Sequence, residues 1–218
     1  MNLKKSGMAS VTVTNTPKMS KFSVIIDNGH GRETLGKRSP DGRLLEWRWT
    51  RDAAGQLKAE LEKHGIDARL LVPEDIDVPL SVRVERANAI AMTTPNCLLV
   101  SIHVNAASGK EWSDASGFSA WICYGASKFS ECLALRLQET ATSMGLSGNR
   151  WLPKEGFFRA NFSIVKKTIM PAVLTENMFM TNADDVSFLL SEEGRKKIVS
   201  LHVTAIMEYL KSIKTPFE

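Results

Sequence analysis

The chain has 218 residues, 43% of them hydrophobic and 24% charged, which leaves room for one domain with a substantial core and excludes a disordered or fibrous chain. The formal net charge of +4 is too small to mark a nucleic-acid binder and is compatible with weak attraction to polyanions. No stretch is apolar and long enough to span a membrane, and three cysteines, Cys97, Cys123 and Cys132, are an odd set for a disulfide framework and read as free thiols suited to a reducing compartment.

Residues 1–20 are polar and aperiodic, lack the apolar core of a signal peptide, and are expected to form a flexible tail, with Met8 and Met19 as alternative starts. The ordered domain is expected over 21–213. Val24-Ile25-Ile26 reads as a short buried strand that ends in Asp27-Asn28-Gly29-His30-Gly31, where the glycines let the chain turn sharply. Arg32 to Arg43 reads as a loop with a turn at Ser39-Pro40-Asp41-Gly42. A helix is expected from Leu45 to Lys63, with Leu57 and Leu61 inward and His64-Gly65 closing it. Ile66 to Val72 is the next strand. A helix over 81–92 is expected to open at a Ser81 cap, with Arg83-Val84-Glu85-Arg86 as a solvated face carrying an internal ion pair.

Cys97 to His103 forms a third apolar run, followed by Val104-Asn105. Gly117 to Tyr124 alternates as a strand does, and Ser127 to Met144 is helical up to Gly145. Residues 146–162, with Trp151, Pro153, Phe157 and Phe158, are irregular and could cover or line a cleft. Pro171 to Asn177 is a strand, Asp184-Asp185 after Asn182 are acids near a helix start, and a last helix runs from Glu192 to Lys211 with Ile198, Leu201, Ile206 and Leu210 buried. Strands alternating with helices imply a single α/β domain, its sheet covered by helices on both faces.

Two strand-end histidines and a strand-end glutamate stand out, because open α/β sheets build sites at the carboxyl ends of their strands. A catalytic zinc takes three protein ligands and keeps one position open. His30 and His103 are two candidates. Glu46 opens a helix directly after the loop that follows His30, so it returns to the same sheet edge and can reach a metal. Asp27 could be a ligand or could hold a histidine in place. Glu176, a carboxylate in an otherwise apolar strand, is placed to take a proton from a water and deliver it to a leaving nitrogen, the chemistry of metal-assisted amide hydrolysis. His64 and His202 read as surface or packing residues, and Trp47 and Trp49 as core anchors in preference to sugar-stacking platforms.

At these residues the chain resembles a known family, the zinc-dependent N-acetylmuramoyl-L-alanine amidases of the type 3 catalytic domain, from about Phe22 to Leu210. Ile26-Asp27-Asn28-Gly29-His30-Gly31 is similar to the family's first motif. Glu46 matches its glutamate, and Ser101-Ile102-His103-Val104-Asn105-Ala106 its second histidine motif. Pro171 to Glu176, continuing through Phe179-Met180-Thr181-Asn182, is similar to the last motif, and Arg83 to Asn88 to an arginine- and asparagine-bearing helix. The departures are Asn28 for a common alanine or proline, Arg32 for a frequent glycine, and Asn177-Met178 for a small residue and glycine.

The resemblance implies a twisted, mostly parallel sheet flanked by helices. It also implies one Zn²⁺ held by His30, Glu46 and His103, with Glu176 as general base and acid. Asp27, Asn105 and Asn182 are then expected to contact substrate or to support the ligands. The implied reaction is hydrolysis of the amide between N-acetylmuramic acid and L-alanine in peptidoglycan. From charge and hydropathy no nucleic-acid partner and no integral membrane association are expected; the oligomeric state is left open, with a monomer as the expectation. The expected setting is synthesis in the cytoplasm and action on the wall, as a phage or prophage endolysin or a host autolysin. The alternatives are a zinc peptidase or carboxypeptidase acting within stem peptides, and a non-enzymatic wall-binding module.

Overall fold

The computed structural model describes residues 22–109 and 111–213; the tail expected at 1–20 lies outside the described residues. In chain order the elements are β1 (Ser23–Asn28), α1 (Glu46–Lys63), β2 (Asp67–Leu70), α2 (Leu80–Thr93), β3 (Cys97–Asn105), β4 (Ser119–Ile122), α3 (Lys128–Ser143), β5 (Phe158–Arg159), α4 (Ser163–Lys166), β6 (Ala172–Phe179), α5 (Ala183–Leu190) and α6 (Glu192–Ser212). The strands form one six-stranded sheet in the order β2-β1-β3-β6-β4-β5. All neighbours are parallel except β4, which runs antiparallel to β6.

The central strands carry apolar side chains on both faces, as strands covered on both sides must. Val24 and Ile26 of β1 and Leu98, Val100, Ile102 and Val104 of β3 face the larger core, which they share with α1, α3, α5 and α6. Ile25, Leu99 and Leu174 face a smaller core built with Val84 and Ala87 of α2 and Ile164 and Val165 of α4. Leu57 and Leu61 of α1, and Ile198, Leu201, Ile206 and Leu210 of α6, are buried as their spacing predicts. Gly65, which follows α1, and Gly145, which follows α3, both adopt positive φ, of 76° and 72°, the left-handed geometry that glycine supplies at a helix end.

The structure departs from the sequence pattern at three places. Helix α2 begins at Leu80 behind Pro79, and no side chain caps it, so Ser81 is not its cap. The irregular segment 146–162 contains β5, which adds an edge strand through Trp121↔Phe158 and Ile122↔Arg159; two residues are too short a run to show alternation. Arg83 is not on a solvated face but is buried, and Arg86 pairs with Glu74, not with Glu85. Cys97 is buried, and Cys123 and Cys132 are half-buried; all three are free.

One irregularity positions the site. His103 lies opposite Glu176, but two residues later Asn105 lies opposite Phe179, so β6 carries one extra residue there. Met178 adopts φ 64° within this bulge. The extra residue returns Phe179 to the face that Glu176 occupies.

Candidate metal centre

Strand β1 delivers Asp27 and Asn28, and the chain then turns through Gly29 and His30. Gly29 is required by a close approach: a Cβ there would fall 2.4 Å from His103 Cε1. His30 has φ 61°, an unfavourable conformation for a residue with a Cβ, which persists only where its surroundings enforce it. Two arginines do so. The His30 carbonyl accepts from Arg51 Nη1 at 3.1 Å and from Arg83 Nη2 at 3.0 Å. Arg83 also donates to the Asn28 carbonyl at 2.7 Å and to Asp27 Oδ1 at 2.8 Å. Thr50 Oγ1 adds a bond to the Gly29 carbonyl.

Glu46 is the first residue of α1, where the helix dipole favours a carboxylate. It is 1% exposed. Its Oε1 accepts from the Val104 amide at 3.0 Å and lies 3.1 Å from His103 Nδ1. Its Oε2 is buried without a hydrogen-bond partner, 3.4 Å from His30 Nε2. One donor atom from each of His30, Glu46 and His103 lies within 4.8 Å of the others, and the two imidazoles meet edge to face with centroids 5.0 Å apart. Two nitrogens and a carboxylate oxygen, one of its oxygens orphaned in a buried position, fit a zinc ion.

Charge follows this geometry. Burial, reinforced by His103, lowers the His30 pKa to about 4 against the opposing pull of Glu46, so at neutral pH it is the uncharged imidazole a metal requires. Burial works to raise the Glu46 pKa, but the His103 hydrogen bond, both histidine charges and the Val104 amide bring it below the usual carboxylate range. His103 loses by burial and gains more from Glu46, so its pKa is raised. Glu176, the register partner of His103, is lifted to about 7 by burial and then by Glu46, against His103, Lys37 and Arg150. Its Oε2 is buried with no hydrogen-bond partner.

Four of the residues singled out in the sequence therefore converge: His30, Glu46, His103 and Glu176. Three do not join the cluster. Asp27 touches neither histidine; it holds Arg83 and accepts from Ser101 Oγ at 2.6 Å. Asn105 accepts from the next-door Ala106 amide. Asn182 caps α5 by accepting from the amides of Asp184 and Asp185.

Several groups support the site in roles that the sequence pattern did not assign to them. Arg83 lies on the same stripe as the buried Ala87 and Ala91 of α2, a helical spacing that marks an inward side chain. Asn177 donates to the His103 carbonyl at 2.9 Å and to Thr175. Thr175 in turn meets His202 Nε2 at 3.0 Å, while His202 Nδ1 bonds the Ile198 carbonyl. Asp185 is buried and accepts from the Phe179 amide and Ser116 Oγ, which fixes the end of β6. Trp49 is a core residue with its indole nitrogen on the Leu189 carbonyl. Trp47, expected as a core anchor, is instead half-buried and lines a cleft of about 620 Å³ with Arg32, Lys37, Leu45, Ala106 and Met180. The four converging residues do not line that cleft, but Leu45 and Trp47 flank Glu46 in sequence.

A family model described as N-acetylmuramoyl-L-alanine amidase matches residues 24–208. A probable cell wall amidase, LytH, of Staphylococcus epidermidis is 26% identical over 205 residues, 94% of this chain and 63% of its own length. The chain thus spans less than two thirds of that relative. Among solved structures, N-acetylmuramoyl-L-alanine amidase AmiC2 of Nostoc punctiforme is 28% identical with a TM-score of 0.73, covering 87% of this chain and 97% of its own. An N-acetylmuramoyl-L-alanine amidase from Clostridium difficile 630 is 25% identical with a TM-score of 0.77, covering 88% and 98%. The chain belongs to the N-acetylmuramoyl-L-alanine amidase family.

Proposed function

We propose that this protein hydrolyses the amide between N-acetylmuramic acid and L-alanine in peptidoglycan, with His30, Glu46 and His103 as ligands of one Zn²⁺ and Glu176 as general base and acid. The observation that carries the reading is a half-buried Glu176, one carboxylate oxygen of which is buried without a hydrogen-bond partner, set opposite His103 of a two-histidine, one-glutamate cluster. Bound in that cluster, Zn²⁺ supplies Lewis acidity, polarising a carbonyl and drawing the pKa of a water toward about 7.

The chain's own residues supply the rest. Glu176, with a pKa raised to about 7, has the affinity to accept a proton from an attacking water and to give it up again. The water oxygen bonds to the scissile carbonyl carbon as its proton passes to the Glu176 carboxylate. The carbon–nitrogen bond then breaks, and that proton goes to the departing alanine nitrogen. Arg51 and Arg83 hold the His30 backbone, Asn177 holds the His103 carbonyl, and the Val104 amide orients Glu46. The ligands are therefore positioned before any metal arrives.

A digest of purified peptidoglycan tests the proposal, with product masses and new amino termini compared for the parent protein and Glu176→Ala. Intact stem peptides with a free L-alanine amine, lost in the variant and after chelation, are the expected products. Cleavage inside the stem peptide would instead make the protein a peptidase.

A further inference from the structure

Arg150 has no role in the chemistry above. It lies in the segment between α3 and β5, half-buried. Its guanidinium carbon sits 4.8 Å from the Phe158 ring centroid, 5.3 Å from Phe179 and 5.7 Å from Trp121. Trp121 stacks on Phe158 with centroids 4.6 Å apart, and Phe162 packs against it edge-on. The Trp121 indole donates to Ser119 Oγ at 2.9 Å, and Ser119 is the β4 register partner of Glu176. Phe179 reaches this group only because of the bulge at Met178, which returns it to the Glu176 face. The platform is thus built directly beside the proposed base.

A guanidinium held on three rings is fixed in place, and cation–π contact supports it without neutralising it. Among the described residues Arg150 has no ion pair or hydrogen bond. The acid that acts on it through space is Glu176, yet the two are not in contact. A fixed cation that acts on the proposed base without touching it is suited to a ligand carboxylate, which a planar guanidinium binds in a forked geometry.

We propose that Arg150 is a specificity-determining residue that binds a carboxylate on the peptide released from the scissile amide. The inference rests on the amidase reading. The peptide side follows from substrate chemistry: the carboxyl on the sugar side is consumed in the amide itself, so the free carboxylates near the bond belong to the peptide. Lys37, the other cation acting on Glu176, comes from the loop before α1, on the side of the Trp47 cleft, and has no aromatic support.

Two synthetic muramoyl dipeptides test this, identical except that the second residue carries a free carboxylate in one and a carboxamide in the other. The parent enzyme is expected to prefer the acid by about tenfold or more in kcat/KM, the scale of one charge-assisted hydrogen bond, chiefly through KM. Arg150→Gln should bring the ratio to within about twofold, and Arg150→Lys should keep part of it. No preference in the parent, or a preference that survives Arg150→Gln or is erased only by Lys37→Gln, overturns the proposal. Calorimetry with the free dipeptide L-alanyl-glutamate separates it from the amidase reading. Binding that is lost in Arg150→Gln, without hydrolysis of either substrate, supports the carboxylate seat and sinks the amidase reading. Hydrolysis without discrimination does the reverse.

Discussion

His103 and Glu176 stand opposite each other on adjacent parallel strands, β3 and β6. In a parallel pair, opposed residues project to the same face, so the backbone register alone brings a candidate metal ligand and the proposed base together. Both strands are buried along most of their length, and a slip of either by one residue would turn its site residue to the other core. The site is therefore protected by the hydrophobic pattern of the strands beneath it.

Glu176→Gln is expected to abolish hydrolysis by about 10²-fold or more, the usual range for loss of a general base, while making the metal-free protein more stable at high pH. Folding raises the Glu176 pKa from 4.5 to about 7, so the folded protein holds the extra proton between those values. Its stabilising effect is complete below about pH 4.5 and is lost as pH rises through about 7. His202 acts in the opposite sense: burial depresses it from 6.5 to about 4, and its contribution, present above pH 6.5, is lost as pH falls through 4. Comparing parent and variant at each pH cancels His202. Denaturant melts of chelator-treated protein should agree near pH 4 and favour the variant by about 1–3 kcal/mol at pH 8.

Gly29→Ala is expected to destroy metal binding. The new Cβ would lie 2.4 Å from His103 Cε1 and 2.5 Å from Nδ1, and the imidazole cannot retreat without leaving Glu46 Oε1. Overpacking of this kind costs about 1–3 kcal/mol, so the variant should still fold. A normal circular dichroism spectrum with no zinc retained is the expected pair of observations. Full zinc retention would show that the His103 ring tolerates displacement.

Arg83→Met is expected to destabilise the protein by about 3–5 kcal/mol, because Asp27 is left as a buried, uncompensated charge. The double variant Arg83→Met with Asp27→Leu should recover part of the loss in thermal melts. It should not recover zinc affinity, since the His30 and Asn28 carbonyls still lack their Arg83 donor.

Much of this site was legible in the sequence, because its chemistry sits at element boundaries. His30 and Glu176 interrupt or end apolar runs, and Glu46 opens a helix, positions that periodicity exposes. The supporting shell was less legible. Arg83 and Arg51 hold a backbone carbonyl; Arg83 lies in a helix that resembles a family motif, but neither residue's pattern tells which group it holds, and the register of Arg83 with Ala87 and Ala91 marks its burial. The Met178 bulge was hidden because a non-glycine residue carries the positive φ. Asn182, expected from its motif to contact substrate or support the ligands, caps α5, a use that asparagine has wherever a helix starts.

Glu46→Gln separates the structural role of this side chain from its role as a ligand. Glutamine keeps a carbonyl oxygen that can accept from the Val104 amide, as Glu46 Oε1 does at 3.0 Å. It loses the negative charge that faces both histidines and the second oxygen, which is buried without a hydrogen-bond partner. The variant should therefore melt close to the parent in chelator, yet bind zinc more weakly by at least about 100-fold, since even the outer partners of metal ligands are worth 10–100-fold. Thermal melts in chelator measure the first quantity, and calorimetric titration of chelator-treated protein with zinc measures the second; the parent should saturate at one ion per chain. Unchanged zinc affinity in Glu46→Gln would remove this residue from the ligand set and leave the two histidines to find a third partner elsewhere.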